Sequence, residues 1–237
     1  MNLILFDHGE TVVPLPRSDG RALHLLEVLR RRESDTFDAG LIDGPRGKGT
    51  LVAIGHDALT LAFTWGELPP ALAPITLVVG LPRPQSARKI LNELAALGVH
   101  AMHFVATERG EASYAQSNLW SSGEWRRHLI AGAEQAFCTR LPEVTWARPM
   151  SEVLGLLPVA AARIALDNYE SPQSLAIVPL ATPLVLALGA ERGWTGAERE
   201  VLRAHGFSLA HLGSRVLRTE TAAVAAVAIV RARLGLL

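Results

Sequence analysis

Cysteine is almost absent from this sequence: Cys138 is the only one in 237 residues. A single thiol excludes an internal disulfide and a cysteine-based zinc cluster, and a reducing cytoplasm is the compartment such a chain fits. Lysine is nearly absent too, with Lys48 and Lys89 set against 21 arginines. GC-rich coding bias produces such a composition as readily as a need for planar, bidentate contact with phosphates or bases does, so the count alone decides nothing. Net charge is missing, because 23 basic and 23 acidic residues balance. That excludes a protein holding nucleic acid by bulk charge alone. Long apolar runs are missing as well. The longest, Thr221–Val230, is alanine-rich and is followed by Arg231 and Arg233, well short of the ~20 residues that span a bilayer. It reads as a helix of the core or of a dimer interface. The opening Met1–Asp7 has no basic region, and its apolar run is too short for a secretory signal. What is present is 49% apolar and 19% charged residues, enough for a large core and incompatible with disorder.

Two regions differ in rhythm. Residues 1–68 suggest short strands at Leu3–Phe6, Phe37–Ile42, Thr50–Ile54 and Leu59–Phe63, separated by turn residues such as Asp43-Gly44-Pro45. One helical segment, Ala22–Arg31, interrupts them. Close strand spacing of this kind predicts a small β-barrel. Residues 69–74 carry three prolines and read as a linker. Residues 75–237 then alternate strand and helix. Strands are expected at Ile75–Gly80, Met102–Ala106, Arg163–Leu166, Leu184–Leu188 and Ser208–Leu212. Helices are expected from Ser86, a residue type that can cap a helix start, to Leu97, over Glu124–Cys138 and from about Thr219. Thr195-Gly196-Ala197-Glu198 has the spacing of a capping box, with Gly206 placed to end that helix. Alternation of this kind predicts an α/β domain with a mostly parallel sheet covered by helices.

Ligands of open α/β sheets bind beyond the carboxyl ends of strands. Three loops qualify: Asp167–Ser174, Gly189–Gly193 and Leu212–Thr221. The last carries Arg215, Arg218 and Glu220 within six residues. Several other chemistries lack their signals. No G-x-G-x-x-G follows the strand at Ile75–Gly80, which disfavours a dinucleotide-binding site, and there is no P-loop and no nucleophile elbow. His100 and His103 fall on opposite faces of a strand, so no metal site is expected.

The run Leu212-Gly-Ser-Arg-Val-Leu-Arg-Thr-Glu-Thr-Ala222 strongly resembles the signature of the RsmE-like 16S rRNA uridine-N3 methyltransferases of the SPOUT superfamily. Fainter likenesses extend along the chain at His24–Arg30, Leu97-Gly98-Val99, Thr107-Glu108-Arg109 and Glu134-Gln135 with Pro142. The resemblance implies a PUA-like RNA-binding barrel over residues 1–68 and a SPOUT methyltransferase domain over 75–237 with a trefoil knot near its C-terminus. It also implies a homodimer, S-adenosylmethionine as cofactor, and 16S rRNA of the small ribosomal subunit as partner. By motif match, the cofactor is expected along Leu188, Gly189, Glu191, Gly193, Leu212, Gly213, Leu217 and Thr219. Some residues depart from the family pattern. Arg192 stands where the family has glycine, which bears on cofactor contact or on RNA, and Ser86 stands where the family has a helix lysine.

Methylating a uracil at N3 requires in-line placement of the methyl donor, loss of the N3 proton and stabilisation of charge on the ring oxygens. Arg218 or Arg215 suits the last task. Glu220, the one carboxylate of the motif, is expected as a base or an orienting group, with holding of Arg218 or a helix end as the alternative. RNA is expected over Arg30, Arg31, Arg32, Arg46 and Lys48. Three other readings stay open at this point: a non-catalytic RNA-binding or ribosome-assembly factor on the same fold, a methyltransferase with another RNA target, and an unrelated α/β enzyme acting on small metabolites.

Overall fold

A computed structural model describes residues 3–237. Met1 and Asn2, the first residues of the opening run, lie outside the described residues. Two compact units are present. The first comprises the chain up to Ala71 together with Ala133–Leu141. The second comprises Leu72–Gly132 and Pro142–Leu237.

The first unit holds β1 (Ile4–Phe6), β2 (Leu15–Pro16), a short helix α1 (Gly20–Leu23), β3 (Thr36–Leu41), β4 (Arg46–Ile54) and β5 (Ala58–Trp65). The strands form one sheet in the order β1-β3-β4-β5-β2. Strand spacing predicts a closed barrel, but among the described residues β1 and β2 are not paired with each other, so the sheet is a half-barrel with two edges. Its core is mainly aliphatic around Phe6 and Phe37, and partly buried rings pack against it: Phe6 lies 5.0 Å edge-on to Phe63, which stacks on Trp65 at 5.1 Å. The expected Ala22–Arg31 helix begins at Gly20, continues as a π-helical turn over His24–Val28 and stops short of Arg31. Arg30 there takes φ 52°, the left-handed cap that ends a helix.

Residues 133–141 correct the expected boundaries, which gave that stretch to the second domain. The Glu134 carboxylate accepts the Leu5 N–H at 2.9 Å, and the Thr139 hydroxyl donates to the Gly44 carbonyl at 2.5 Å. Gly40 makes room for this return, since a Cβ there would lie 2.5 Å from Thr139 Cγ2.

The second unit runs β6 (Ala73–Gly80), α2 (Pro84–Ala96), β7 (Val99–Ala106), α3 (Asn118–Ser121), α4 (Glu124–Gln135), β8 (Glu143–Pro149), α5 (Met150–Leu156), β9 (Ala162–Leu166), β10 (Gln173–Ser174), β11 (Leu184–Leu188), α6 (Gly196–Ala204), β12 (Ser208–His211) and α7 (Thr219–Arg233). Seven strands form a sheet in the order β10-β12-β9-β11-β6-β7-β8, and every recorded pairing is parallel. The sheet centre reads as continuous apolar sequence, because a parallel strand covered on both faces has no solvent side. β11, Leu184-Val-Leu-Ala-Leu188, is buried at all five positions.

α7 buries Ala223, Ala226, Val227 and Val230, a single helical face. No helix among the described residues is long and apolar enough to cross a membrane. Several expected boundaries move. β6 starts inside the expected 69–74 linker. Pro74 is tolerated there because it sits at a register shift against β7 and precedes the first pairing with β11 at Ile75. α2 starts at Pro84 rather than at a Ser86 cap, since proline needs no N–H in the first turn. α4 stops at Gln135 rather than Cys138, and Phe137 turns the chain with φ 57°.

Candidate active site

An all-parallel sheet places every strand's carboxyl end on one edge. The loops leaving β6, β9, β11 and β12 there enclose a cavity of about 600 Å³, within the size range of small-molecule sites. Glycine shapes the β11 loop. A Cβ on Gly189 would lie 2.8 Å from the Gly193 main chain, and the Gly193 N–H closes a turn onto the Ala190 carbonyl at 2.9 Å. β6 must also end in glycine, because a Cβ on Gly80 would meet the Ala190 nitrogen at 2.6 Å. The buried Trp194 ties this loop to β9 by donating its indole N–H to the Leu166 carbonyl at 3.1 Å.

The β9 loop is ordered by Asp167. Its carboxylate accepts the Tyr169 and Glu170 N–H groups at 2.8 and 2.6 Å and pairs with the Arg199 guanidinium of α6 at 2.7 Å. Burial would push this carboxyl up, but the Glu170 N–H, Arg199 and the Tyr169 N–H together hold it below its ordinary value. Glu191 reaches the other way, accepting the N–H of Arg83 at the start of α2 at 2.8 Å.

The β12 loop turns at Gly213, with φ 108°, whose N–H donates to His211 Nδ1 at 3.0 Å. It ends where Thr219, buried, opens α7. Glu220 is then fixed from α2: the Ser86 hydroxyl donates to it at 2.9 Å and the Lys89 ammonium at 3.3 Å. Its carboxyl sits below the ordinary carboxylate value. Its own backbone N–H is the main cause, and Ser86 and Lys89 add to it against a burial penalty.

The residues expected from sequence fall as follows. Arg215, Arg218 and Glu220 line one cavity with Leu188, Gly189, Glu191 and Gly193. Leu212, Leu217 and Thr219 line it too, whereas Gly213 shapes the loop without lining the cavity. Among the described residues, Glu220 pairs with Ser86 and Lys89 of α2 and serves the α7 helix end, rather than holding Arg218. In the first unit, Arg30, Arg31 and Arg32 are exposed and, among the described residues, have no ion-pair partner. Arg46 lies over the Phe137 ring at 5.6 Å and donates to its carbonyl at 3.2 Å, and Lys48 pairs with Asp38 at 2.6 Å.

Sequence reasoning gave no site role to Arg83, Lys89 or Tyr169, which also line the cavity. It marked the Asp167 loop but not the Asp167–Arg199 pair. Arg83 carries a faint signal, since it lies three residues beyond the carboxyl end of an expected strand; the pair, 32 residues apart, carries none. Among the described residues, no three His, Cys, Asp or Glu side chains cluster as metal ligands.

Fold and cavity together define an α/β domain in which the loops at one sheet edge enclose a cavity of small-molecule size. Comparison with known proteins specifies it further. The model of the RNA methyltransferase domain family matches residues 69–231. The ribosomal RNA small subunit methyltransferase E of Treponema pallidum is 36% identical over 98% of this chain and 91% of its own length. The methyltransferase E 1 of Borreliella burgdorferi is 30% identical over 99% of each chain. The crystal structure of the Neisseria gonorrhoeae methyltransferase E, bound to S-adenosyl methionine, superposes with a TM-score of 0.77 at 25% identity over 98% of each chain. The chain belongs to the RNA methyltransferase family, among the ribosomal RNA small subunit methyltransferases E.

Proposed function

We propose that this protein transfers a methyl group from S-adenosylmethionine to N3 of a uridine in 16S rRNA of the small ribosomal subunit. One observation carries the reading: the Leu212–Ala222 motif and the glycine-shaped loop after β11 line the same cavity.

The residues present fit the cofactor. Leu188, Leu212 and Leu217 offer an apolar wall for an adenine ring. The Gly189–Gly193 approach leaves main-chain groups accessible where side chains would block them. The cofactor supplies an electrophilic methyl group on a sulfonium. Leu188, Gly189, Glu191, Gly193, Leu212, Leu217 and Thr219 would hold it, with Gly213 shaping the loop that carries the last three. Arg218, with Arg215, stabilises charge growing on the uracil oxygens and so eases loss of the N3 proton to water. Glu220 orients. A carboxyl held below its ordinary value is a weak base, and both its oxygens are already engaged by Ser86 and Lys89.

The first unit serves as the PUA-like RNA-binding part, with Arg30, Arg31 and Arg32 as phosphate contacts and Arg46 and Lys48 as further RNA contacts on β4. A homodimer, a trefoil knot near the C-terminus and a cytoplasmic location belong to the same reading, supported by kinship with the methyltransferase E proteins. A second reading, a non-catalytic RNA-binding factor, is favoured by Arg192 in the cavity lining.

Mass spectrometry of rRNA from cells lacking the gene tests the proposal. The expected result is a missing 3-methyluridine, restored by the wild-type gene but not by Arg218→Ala. An unchanged 3-methyluridine content refutes it.

A further inference from the structure

The chain as a whole is formally neutral, but its cavity is not. Arg83, Lys89, Arg192, Arg215 and Arg218 line it against three carboxylates, Asp167, Glu191 and Glu220. All three carboxylates are engaged: Asp167 by Arg199, Glu191 by Arg83 and Glu220 by Lys89. Among the described residues, Arg192, Arg215 and Arg218 have no ion-pair or hydrogen-bond partner for their guanidiniums. Arg215 and Arg218 belong to the loop after β12, and Arg192 belongs to the loop after β11. β9 separates these strands, so the two loops leave the sheet about 10 Å apart.

The Arg192 backbone is fixed while its side chain is not. Glu191 and Arg192 are the central residues of the turn closed by Gly193 onto Ala190. The Glu191 side chain is turned to the Arg83 N–H, and the Arg192 carbonyl accepts from the Arg109 guanidinium at 3.3 Å. What remains is an exposed guanidinium on a rigid tip at the cavity wall, without a counter-ion. A planar fork of donors in that setting matches a phosphate or carboxylate.

We infer that Arg192 is an RNA-backbone contact, binding a phosphodiester of the strand that carries the target nucleotide, on a different loop from Arg215 and Arg218. The inference rests on the methyltransferase reading for bringing RNA to this cavity. A strand entering it needs charge neutralised on more than one loop, and a single cofactor carboxylate would not use three unpaired arginines. The cofactor carboxylate is the competing source of the same chemistry.

The test uses the full chain and two probes, a short uridine-containing oligoribonucleotide titrated across a salt series and S-adenosylhomocysteine titrated by calorimetry. In Arg192→Ala, RNA affinity falls about tenfold, and the slope of log affinity against log salt flattens by about 0.7. S-adenosylhomocysteine affinity stays unchanged. Arg192→Lys keeps the slope, because the charge is retained, but loses part of the affinity with the fork. Unchanged RNA affinity and slope in Arg192→Ala overturn the inference. So does a loss confined to S-adenosylhomocysteine, which would make Arg192 a cofactor contact. A wild-type chain that binds no S-adenosylhomocysteine overturns the methyltransferase reading instead, and the salt slope then decides the Arg192 contact by itself.

Discussion

The Ser86 hydroxyl donates to the Glu220 carboxylate at 2.9 Å, joining residues 134 apart in sequence. Lys89, one turn further along α2, reaches the other carboxylate oxygen. Two helix starts are thereby locked together, and the arginine-bearing loop that leads into α7 is held at its far end. The Glu220 pKa is lowered in the folded chain. Its stabilisation is therefore complete above the ordinary carboxylate value of about 4.3 and is lost as pH falls through the lower, folded value.

An orienting Glu220 predicts a mild phenotype for Glu220→Gln. The amide still accepts from Ser86, so kcat should fall by less than about tenfold, and no ionisation near neutral pH should disappear from the rate profile. A general base would lose roughly a hundredfold or more. A pH series of kcat for the two proteins separates these outcomes.

Arg218 is argued to act on the developing charge of the uracil. Arg218→Ala should lower kcat by about 10²–10³, with S-adenosylhomocysteine affinity near wild type. Single-turnover methylation with saturating cofactor reads this directly. Equal losses in cofactor affinity and rate would assign Arg218 to the cofactor instead.

The Asp167–Arg199 pair is buried at both ends, with side-chain exposures of 2% and 9%. Asp167→Ala leaves a buried guanidinium without its main partner, a loss of about 3–5 kcal/mol, and frees the Tyr169 and Glu170 amides. The thermal midpoint should drop on the order of 10 °C, and D167L/R199M should recover part of that drop. Because the Asp167 carboxyl is held low, its contribution is present above about pH 3.9 and is lost on further acidification. Denaturation of the three proteins at neutral pH checks the ordering.

Local chemistry wrote some of this into the sequence plainly. β11 spans Leu184–Leu188 as its apolar run requires, and the Thr195/Glu198 capping box forms with both of its bonds. Gly98 takes φ 66° just beyond α2. Other parts depended on distant partners and left no local mark. β8 gave no strand signal because it is a half-buried edge strand. It also bulges at Ala147, with φ 60°, between the Phe104↔Trp146 and Val105↔Arg148 pairings. The return of residues 133–141 to the first unit depends on Gly40, Gly44 and Leu5, about ninety or more residues upstream. In the site, the glycine loop and the motif arginines were legible, whereas Ser86 read as a helix cap because nothing nearby points to Glu220.

The capping box gives a control away from the chemistry. Thr195→Ala removes the acceptor of the Glu198 N–H and should cost about 1 kcal/mol. Urea denaturation should register that loss while methyl transfer at a temperature well below the midpoint is retained.

Calorimetric titration of S-adenosylhomocysteine into the wild-type chain and into Gly189→Val tests most directly whether the cavity is the methyl-donor site. The wild type should bind one equivalent per chain. The variant should bind none while keeping its circular dichroism, since its side chain is driven into the Gly193 main chain. Absence of binding to the wild type, or equal binding to both, would contradict a donor held by the loops after β11 and β12.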